Sequence, residues 1–321
     1  MNNPIALFKK YLKPLSLSTL AENKEVLAKA QILVAYYYFI VVFLAIQSFT
    51  TMGIDLSLPN YSPLWPLSWA SLFSLDQPTT VNIVRFFFVF SAILGAFFYK
   101  FTPGRALVFL GIWQMHAVES SFSHPNHEWY PLLYTSLIFV FLPSIWRAKE
   151  HIEESRKFLL VIWWAQALIL LTYSMSGLWK FTATLDQFFQ GQIHGFSKDA
   201  IAYQIADWLP RLGAEPILAP FFINNPVFGW PLYIGVHFLE AFAIWATIRP
   251  SLQKLWATGL ILFHFGTTVT MGISAFNPSI IVLILLFFFS PFIPEKVSPK
   301  QLLYDLPIVG QVLDILRNRK R

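Results

Sequence analysis

The sequence predicts an all-α fold: a polytopic transmembrane helical bundle of about eight spans with its N and C termini on the cytoplasmic side. Two observations predict it. Apolar segments recur at 31–49, 81–98, 106–122, 130–145, 158–178, 228–248, 255–273 and 278–293. Of the 23 lysines and arginines, 19 fall in alternate gaps between those segments, as expected when cytoplasmic loops hold the positive charge. They are Lys9, Lys10, Lys13, Lys24 and Lys29, then Lys100 and Arg105, then Arg147, Lys149, Arg156 and Lys157, then Arg249 and Lys254, then Lys296, Lys300, Arg317, Arg319, Lys320 and Arg321. Arg85, Lys180, Lys198 and Arg211 lie elsewhere. The rule weighs short loops near span ends, so the long 179–227 connection can carry its few charges.

Composition excludes several function classes. With 321 residues, 56% of them hydrophobic and 12% charged, and a mean hydropathy of +0.55, the chain is far greasier than a soluble domain. The formal charge of +6 is accounted for by loops facing anionic lipid, so no nucleic-acid partner is expected. There is no cysteine, which removes disulfides, thiolate nucleophiles and cysteine-held metals. No metal-ligand set is read elsewhere in the sequence.

Taken in order, residues 1–30 form an amphipathic cytoplasmic segment. Pro4–Tyr11 and Leu20–Ala30 mix charged and apolar residues and read as short interfacial helices rather than a cleaved leader. Residues 31–293 form the transmembrane domain and 294–321 a basic cytoplasmic tail. Some spans are slightly short for a hydrocarbon core about 30 Å thick, which tilt or local thinning accommodates. Two outer loops stand apart, 50–80 and 179–227. The first, rich in Pro, Ser, Leu and Trp, reads as an apolar lid on the membrane surface. The second carries Asp186, His194, Asp199, Asp207 and Glu215 and a helix over Lys198–Leu209, and should fold over the mouth of the bundle. Trp65, Trp129, Trp146 and Trp230, near span ends, read as interfacial girdle residues.

Ionisable groups inside a membrane are costly, so each is a functional candidate, with helix-to-helix pairing as the structural alternative. His116, Glu119, His124, His127 and Glu128 gather at the outer ends of spans three and four. Arg85 lies near the outer start of span two, Lys180 at the outer end of span five, His237 and Glu240 in span six, and His264 halfway along span seven. His116 with Glu119, and His237 with Glu240, are three residues apart and so share a helix face, as hydrogen-bonded pairs that are structural or functional. His124, Glu128, His194 and Lys198 read first as solvated loop groups. His264 lies in Phe263–Thr268, whose small residues permit close helix approach, and a structural bond and a direct role are both open to it. Lys180 alone reads equally well as an interfacial lysine that snorkels.

Two segments carry more than composition. Pro125–Tyr134, reading Pro-Asn-His-Glu-Trp-Tyr-Pro-Leu-Leu-Tyr, and Tyr173–Lys180, reading Tyr-Ser-Met-Ser-Gly-Leu-Trp-Lys, resemble the asparagine-histidine and tyrosine-small-glycine-lysine signatures of one family. It comprises vitamin K-dependent gamma-carboxylase and its bacterial relatives, the HTTM (horizontally transferred transmembrane) proteins. Span seven, from His264 through Gly266 and Gly272 to Phe276-Asn277-Pro278, is similar to that family's late helix pair, and the resemblance extends from about Leu27 to Phe292.

The resemblance implies roles. It assigns Lys180 as the base that begins oxygenation of a reduced quinone and His127 as the group that stabilises a charged intermediate; Asn126 and Tyr173 of the two motifs, and Arg85, His116, Glu119, His237, Glu240 and His264 from their places in the spans, are further pocket candidates. The chemistry fits these residue types: a desolvated amine can act as a base near neutral pH, and an imidazole N–H can hold a developing oxyanion. A quinone or hydroquinone is the cofactor or substrate it suggests, with membrane lipids and a small lipid-soluble ligand as partners, a multi-pass position in the plasma or inner membrane, and no protein partner named. The carboxylase carries a large luminal region after its helices, whereas this chain has about thirty residues after its last span, so carboxylation of protein glutamates is not expected. A non-catalytic lipid-binding subunit and a transporter are the other expectations. A transporter would favour inverted repeats and broken midplane helices, neither of which is legible in the sequence.

The charge alternation is directly testable. Reporter fusions after Arg105, Lys157 and Arg321 should read cytoplasmic, and insertions near Asn60 and Lys198 should read outside. One reporter on the wrong side of an intact protein would break the eight-span topology.

Overall fold

The computed structural model of the chain describes residues 17–51, 69, 77–121, 127–143, 151–211, 216–273 and 277–319. Every regular element among them is helical. Among the described residues three helices are long and apolar enough to cross a membrane: Lys24–Ser48, Pro78–Phe98 and Ile152–Phe189. By contact the described residues divide into two compact units, 17–169 with 277–291, and 170–273 with 292–319.

The first unit contains α1 (Leu17–Ala21), α2 (Lys24–Thr51), α3 (Gln77–Phe98), α4 (Thr102–Ser120), α5 (Tyr130–Phe139) and the first half of α6 (Ile152–Phe189). The second half of α6 belongs to the other unit, which continues with α7 (Ala200–Trp208), α8 (Ala219–Asn224), α9 (Pro226–Ala241), α10 (Trp245–Ile248) and α11 (Gln253–Met271). α12 (Pro278–Leu283) returns to the first unit, and α13 (Pro299–Asp305) and α14 (Val309–Arg319) to the second.

α2 begins where Asn23 Oδ1 accepts the Glu25 and Val26 amides, at 2.9 and 3.4 Å, an N-cap that meets two of the donors a helix start leaves over. There is no separate interfacial helix over Leu20–Ala30: Lys24–Ala30 is the opening of α2 itself. Leu33, Val34, Tyr37, Tyr38, Val41 and Leu44 pack inwards, yet Ile32, Tyr36, Phe43, Ile46 and Phe39, the last 69% exposed, form an apolar stripe on the open face. A helix apolar all round suits lipid on its open side and not water. The Pro4–Tyr11 segment and nearly all of the 50–80 loop lie outside the described residues.

Helices α3 and α4 form a tight hairpin. A Cβ on Gly111 would stand 1.9 Å from Ser91 Oγ, so only glycine admits this approach. Arg105 was counted by sequence among the charges facing lipid. It is instead 1% exposed, donating to the Tyr99 carbonyl at 3.0 Å, to Thr102 Oγ1 at 3.0 Å and to the Leu142 carbonyl. Those carbonyls stand just past the C-termini of α3 and α5, where backbone acceptors have no helical partner and the dipole favours a cation. Trp129, expected at the interface, is buried against Phe88.

Other expected spans are shorter than drawn or differently bounded. The 130–145 segment gives only ten residues of helix in α5. The last segment has six residues of α-helix in α12, then a five-residue π turn at Ile284–Phe288. The widened turn disturbs the regular ladder, and Gln166 Nε2 donates to the Leu286 carbonyl at 2.7 Å and to Ser290 Oγ at 2.9 Å. In the second unit the tail is helical and is held by Asp305, which accepts from Ser251 Oγ at 2.6 Å, pairs with Arg249 at 3.7 Å and takes the Trp245 indole N–H on its carbonyl at 2.8 Å.

Replacing Arg105 with methionine keeps the bulk but leaves a buried carbonyl at Leu142 and a part-buried one at Tyr99 unmet, so it should cost about 3 kcal/mol of stability. Thermal unfolding in detergent measures this. An unchanged midpoint would mean the carbonyl tie is not holding the helix ends.

Candidate functional site

The polar groups of the second unit converge where α6 meets α9. Ser174, Gly177 and Lys180 recur every three residues and share one face of α6, which runs on to Phe189. Lys180 is therefore inside a helix, not at its end as the sequence suggested, because the helix runs on through Phe181–Phe189. A Cβ on Gly177 would lie 2.3 Å from Ala241 N and 2.7 Å from the Glu240 carbonyl carbon, so the absence of a side chain lets the two backbones touch.

That contact falls where α9 stops. The apolar segment 228–248 was expected to be one span, but the helix ends at Ala241 and resumes as α10 only at Trp245. The Ile244 amide, freed by the interruption, donates to Ser174 Oγ at 2.9 Å. Glu240 stands one residue before the break. Its carboxylate takes Lys180 Nζ on both oxygens at 2.7 Å, a forked, charge-assisted contact. The exposures are unequal, 3% for the Glu240 side chain and 38% for that of Lys180. Lys180 Nζ also lies 5.6 Å from the centre of the Phe263 ring.

Around this ion pair stand further groups. The Tyr173 hydroxyl is hydrogen-bonded to His264 Nε2 at 2.8 Å. Tyr173 and Tyr233 lie in the field of the Glu240 carboxylate and His264 in that of the Lys180 ammonium. His237 does not pair with Glu240 as its spacing suggested: its Nδ1 bonds the Tyr233 carbonyl at 2.9 Å, and since a carbonyl only accepts, that nitrogen carries the proton. The other ring nitrogen faces Gly195, where an added Cβ would come within 3.2 Å. His194 is not a solvated loop group. It stacks edge-on against Phe188 and Phe196, with Phe181 against Phe196 in turn. Trp230 donates its indole N–H to the Phe196 carbonyl at 3.0 Å. Gly266, read as a point of close helix approach, faces open space.

The remaining candidates belong to the first unit. Arg85 is buried, and the Glu119 carboxylate lies in its field and in that of Glu128 while accepting a side-chain hydrogen bond from Trp129. The His116 ring packs edge-on against Tyr130 at 5.2 Å. His127 opens the short helical turn His127–Trp129, and its side chain, like all of Asn126 and His124, lies outside the described residues. Lys180 and His127 thus fall in different units, and the imidazole that stands near Lys180 in its own unit is His264.

Sequence reasoning missed the Lys180–Glu240 pair, although opposite lone charges in two apolar helices were a usable signal. It had no signal for the Tyr173–His264 bond or for the break, since Phe242-Ala243-Ile244 contains neither proline nor glycine. No family model, curated protein or solved structure matches the chain. Among the described residues no group of three or more His, Asp or Glu could hold a metal ion.

The glycine contact makes a controlled prediction. Gly177→Ala should destabilise by about 1–3 kcal/mol through overpacking against the α9 backbone. Gly235→Ala and Gly266→Ala, both helical with nothing within 4 Å of the added atom, should be neutral or stabilise by up to about 1 kcal/mol. Equal effects at all three positions, by thermal unfolding, would contradict the close approach.

Proposed function

We propose that this protein is an eight-span membrane protein of the HTTM and vitamin K-dependent carboxylase kind, with both termini cytoplasmic. Its Lys180 acts on a quinone-type or other lipid-soluble molecule at an outer-facing pocket in the plasma or inner membrane. One observation carries the reading: Lys180, partly open and the lone charge between Lys157 and Asp186 of α6, is gripped by the buried carboxylate of Glu240 at 2.7 Å. A buried ion pair is weak as a stabiliser, since apolar residues of like volume serve as well or better, so its presence among greasy helices points to use rather than to structure. Met175, Leu178, Trp179 and Phe181 beside it are exposed, which suits arrival of a ligand from the lipid phase. His264, bonded to Tyr173, is the imidazole beside Lys180 in the same unit.

The interruption of α9 beside Glu240 favours a second reading, a transporter, because discontinuous helices often frame transported ions and substrates. The two separate by experiment. Native mass spectrometry of gently extracted protein should find a quinone or other lipid retained, and the product of turnover should then be sought with that molecule. Lys180→Ala should lower turnover by about 10²-fold or more. Lys180→Arg should not rescue it, because a guanidinium keeps its proton at any working pH. Accumulation of the unaltered molecule inside proteoliposomes would favour the transporter, and a silent Lys180→Arg in both assays would leave Lys180 as a structural cation.

A further inference from the structure

Resting on the reading of Lys180 given above, we propose that Glu240 is the terminal proton acceptor of the site. A substrate hydroxyl gives its proton to Lys180 as Lys180 gives one to Glu240, and the ammonium that remains holds the oxyanion.

The geometry carries this. An ammonium has three hydrogens and no lone pair, so Lys180 as it stands can accept nothing until it has given a proton away. Its Nζ donates to both Glu240 oxygens at 2.7 Å, and these are its acceptors among the described residues. Handing the proton to water instead would leave a carboxylate with 3% exposure and no counter-charge, the arrangement that low-dielectric surroundings penalise most. The Tyr173 hydroxyl is bonded to His264 Nε2 at 2.8 Å.

The step balances without any further reactant. An R–O–H bond breaks, an O–H bond forms on Glu240, and Lys180 loses one N–H bond and gains another. The reacting groups begin as a neutral hydroxyl, an ammonium and a carboxylate and end as an oxyanion, an ammonium and a carboxylic acid, so the site keeps zero net charge throughout. The unequal exposure gives the relay its direction. Lys180, 38% exposed, is the member a substrate can reach, and Glu240 is the member that keeps the proton out of solvent. Gly177 and Ser174 position both, by seating α6 against the end of α9. The substrate class is thus any lipid-soluble molecule with a weakly acidic hydroxyl, and Lys180 is a relay and oxyanion holder in place of a lone base.

The test uses the full chain in lipid nanodiscs and an alkylated nitrophenol, 2-octyl-4-nitrophenol, as probe. Phenolate absorbance reports ionisation, a pH indicator in weak buffer reports protons released, and infrared difference spectra report a protonated carboxyl. The wild type should form bound phenolate with no proton released and with a new carboxylic acid band. Glu240→Gln should lose that band and release one proton for each phenolate formed. Glu240→Asp keeps a carboxyl, one methylene shorter, and should shift the band in frequency, which assigns it even if Glu240→Gln does not fold. Proton release and no acid band in the wild type would overturn the proposal while leaving the ligand site intact. Failure of the wild type to bind the probe at all would remove the lipid-soluble-hydroxyl reading and this inference with it.

Discussion

Every backbone N–H and C=O that a helix leaves over must find a partner inside the protein when the surroundings are hydrocarbon. That constraint explains the polar side chains that the packing keeps. Arg105 answers the carbonyls beyond α3 and α5, Gln166 the carbonyl in the π turn, and Ser174 the amide freed by the break after α9. Thr267 and Thr270 fold their hydroxyls back onto the His264 and Gly266 carbonyls, so those two hydroxyls are met within α11 itself. None of these groups needs a chemical role beyond this. Among the polar residues of the second unit that remain, Lys180, Glu240, Tyr173 and His264 are tied to one another by side-chain bonds and fields.

The break and the ion pair are parts of one arrangement. Gly177 brings the α6 backbone against Ala241, and the same closeness puts Ser174 within reach of the freed Ile244 amide and Lys180 within reach of Glu240. A larger residue at position 177 would push these elements apart, and the charge contact would open with the backbone contact. Helix end and ion pair therefore share a single steric requirement, which couples any movement of the interrupted segment to the separation of the two charges.

Much of the fold was legible because its signals are local. Apolar length marks α2, α3 and α6, and the helix forecast over Lys198–Leu209 stands as α7 at Ala200–Trp208. Boundaries were less legible. Lys180 looked like the end of a span because the apolar run stops there, but hydropathy measures solvent preference and not helix continuity, and α6 continues into polar residues. The π turn and the α9 interruption have no proline or glycine to announce them, and each is tolerated through a distant side chain, Gln166 or Ser174, that no local window contains. The site was legible as a set of members and not as a set of pairs. Lys180, Glu240, Tyr173, His237 and His264 were all candidates, yet spacing within one helix suggested His237 with Glu240, whereas the contacts run between helices. A charge desolvated in an apolar bundle gains more from an opposite charge across the helix interface than from a neutral imidazole one turn away.

The neutrality of the pair bears on what could occupy the site. A lone lysine among greasy helices would draw any anionic amphiphile, because its charge would be unopposed. With Glu240 bonded through both oxygens, an approaching carboxylate or phosphate meets a repulsive charge almost as near as the attractive one, and the two contributions largely cancel. An uncharged molecule suffers no such penalty, and a hydroxyl on it can still engage the open side of the ammonium, which is the side that Glu240 does not cover. On the proposed reading, the same geometry that weakens attraction for ions leaves hydrogen bonding as the means of recognition, which suits an uncharged ligand arriving through the lipid phase.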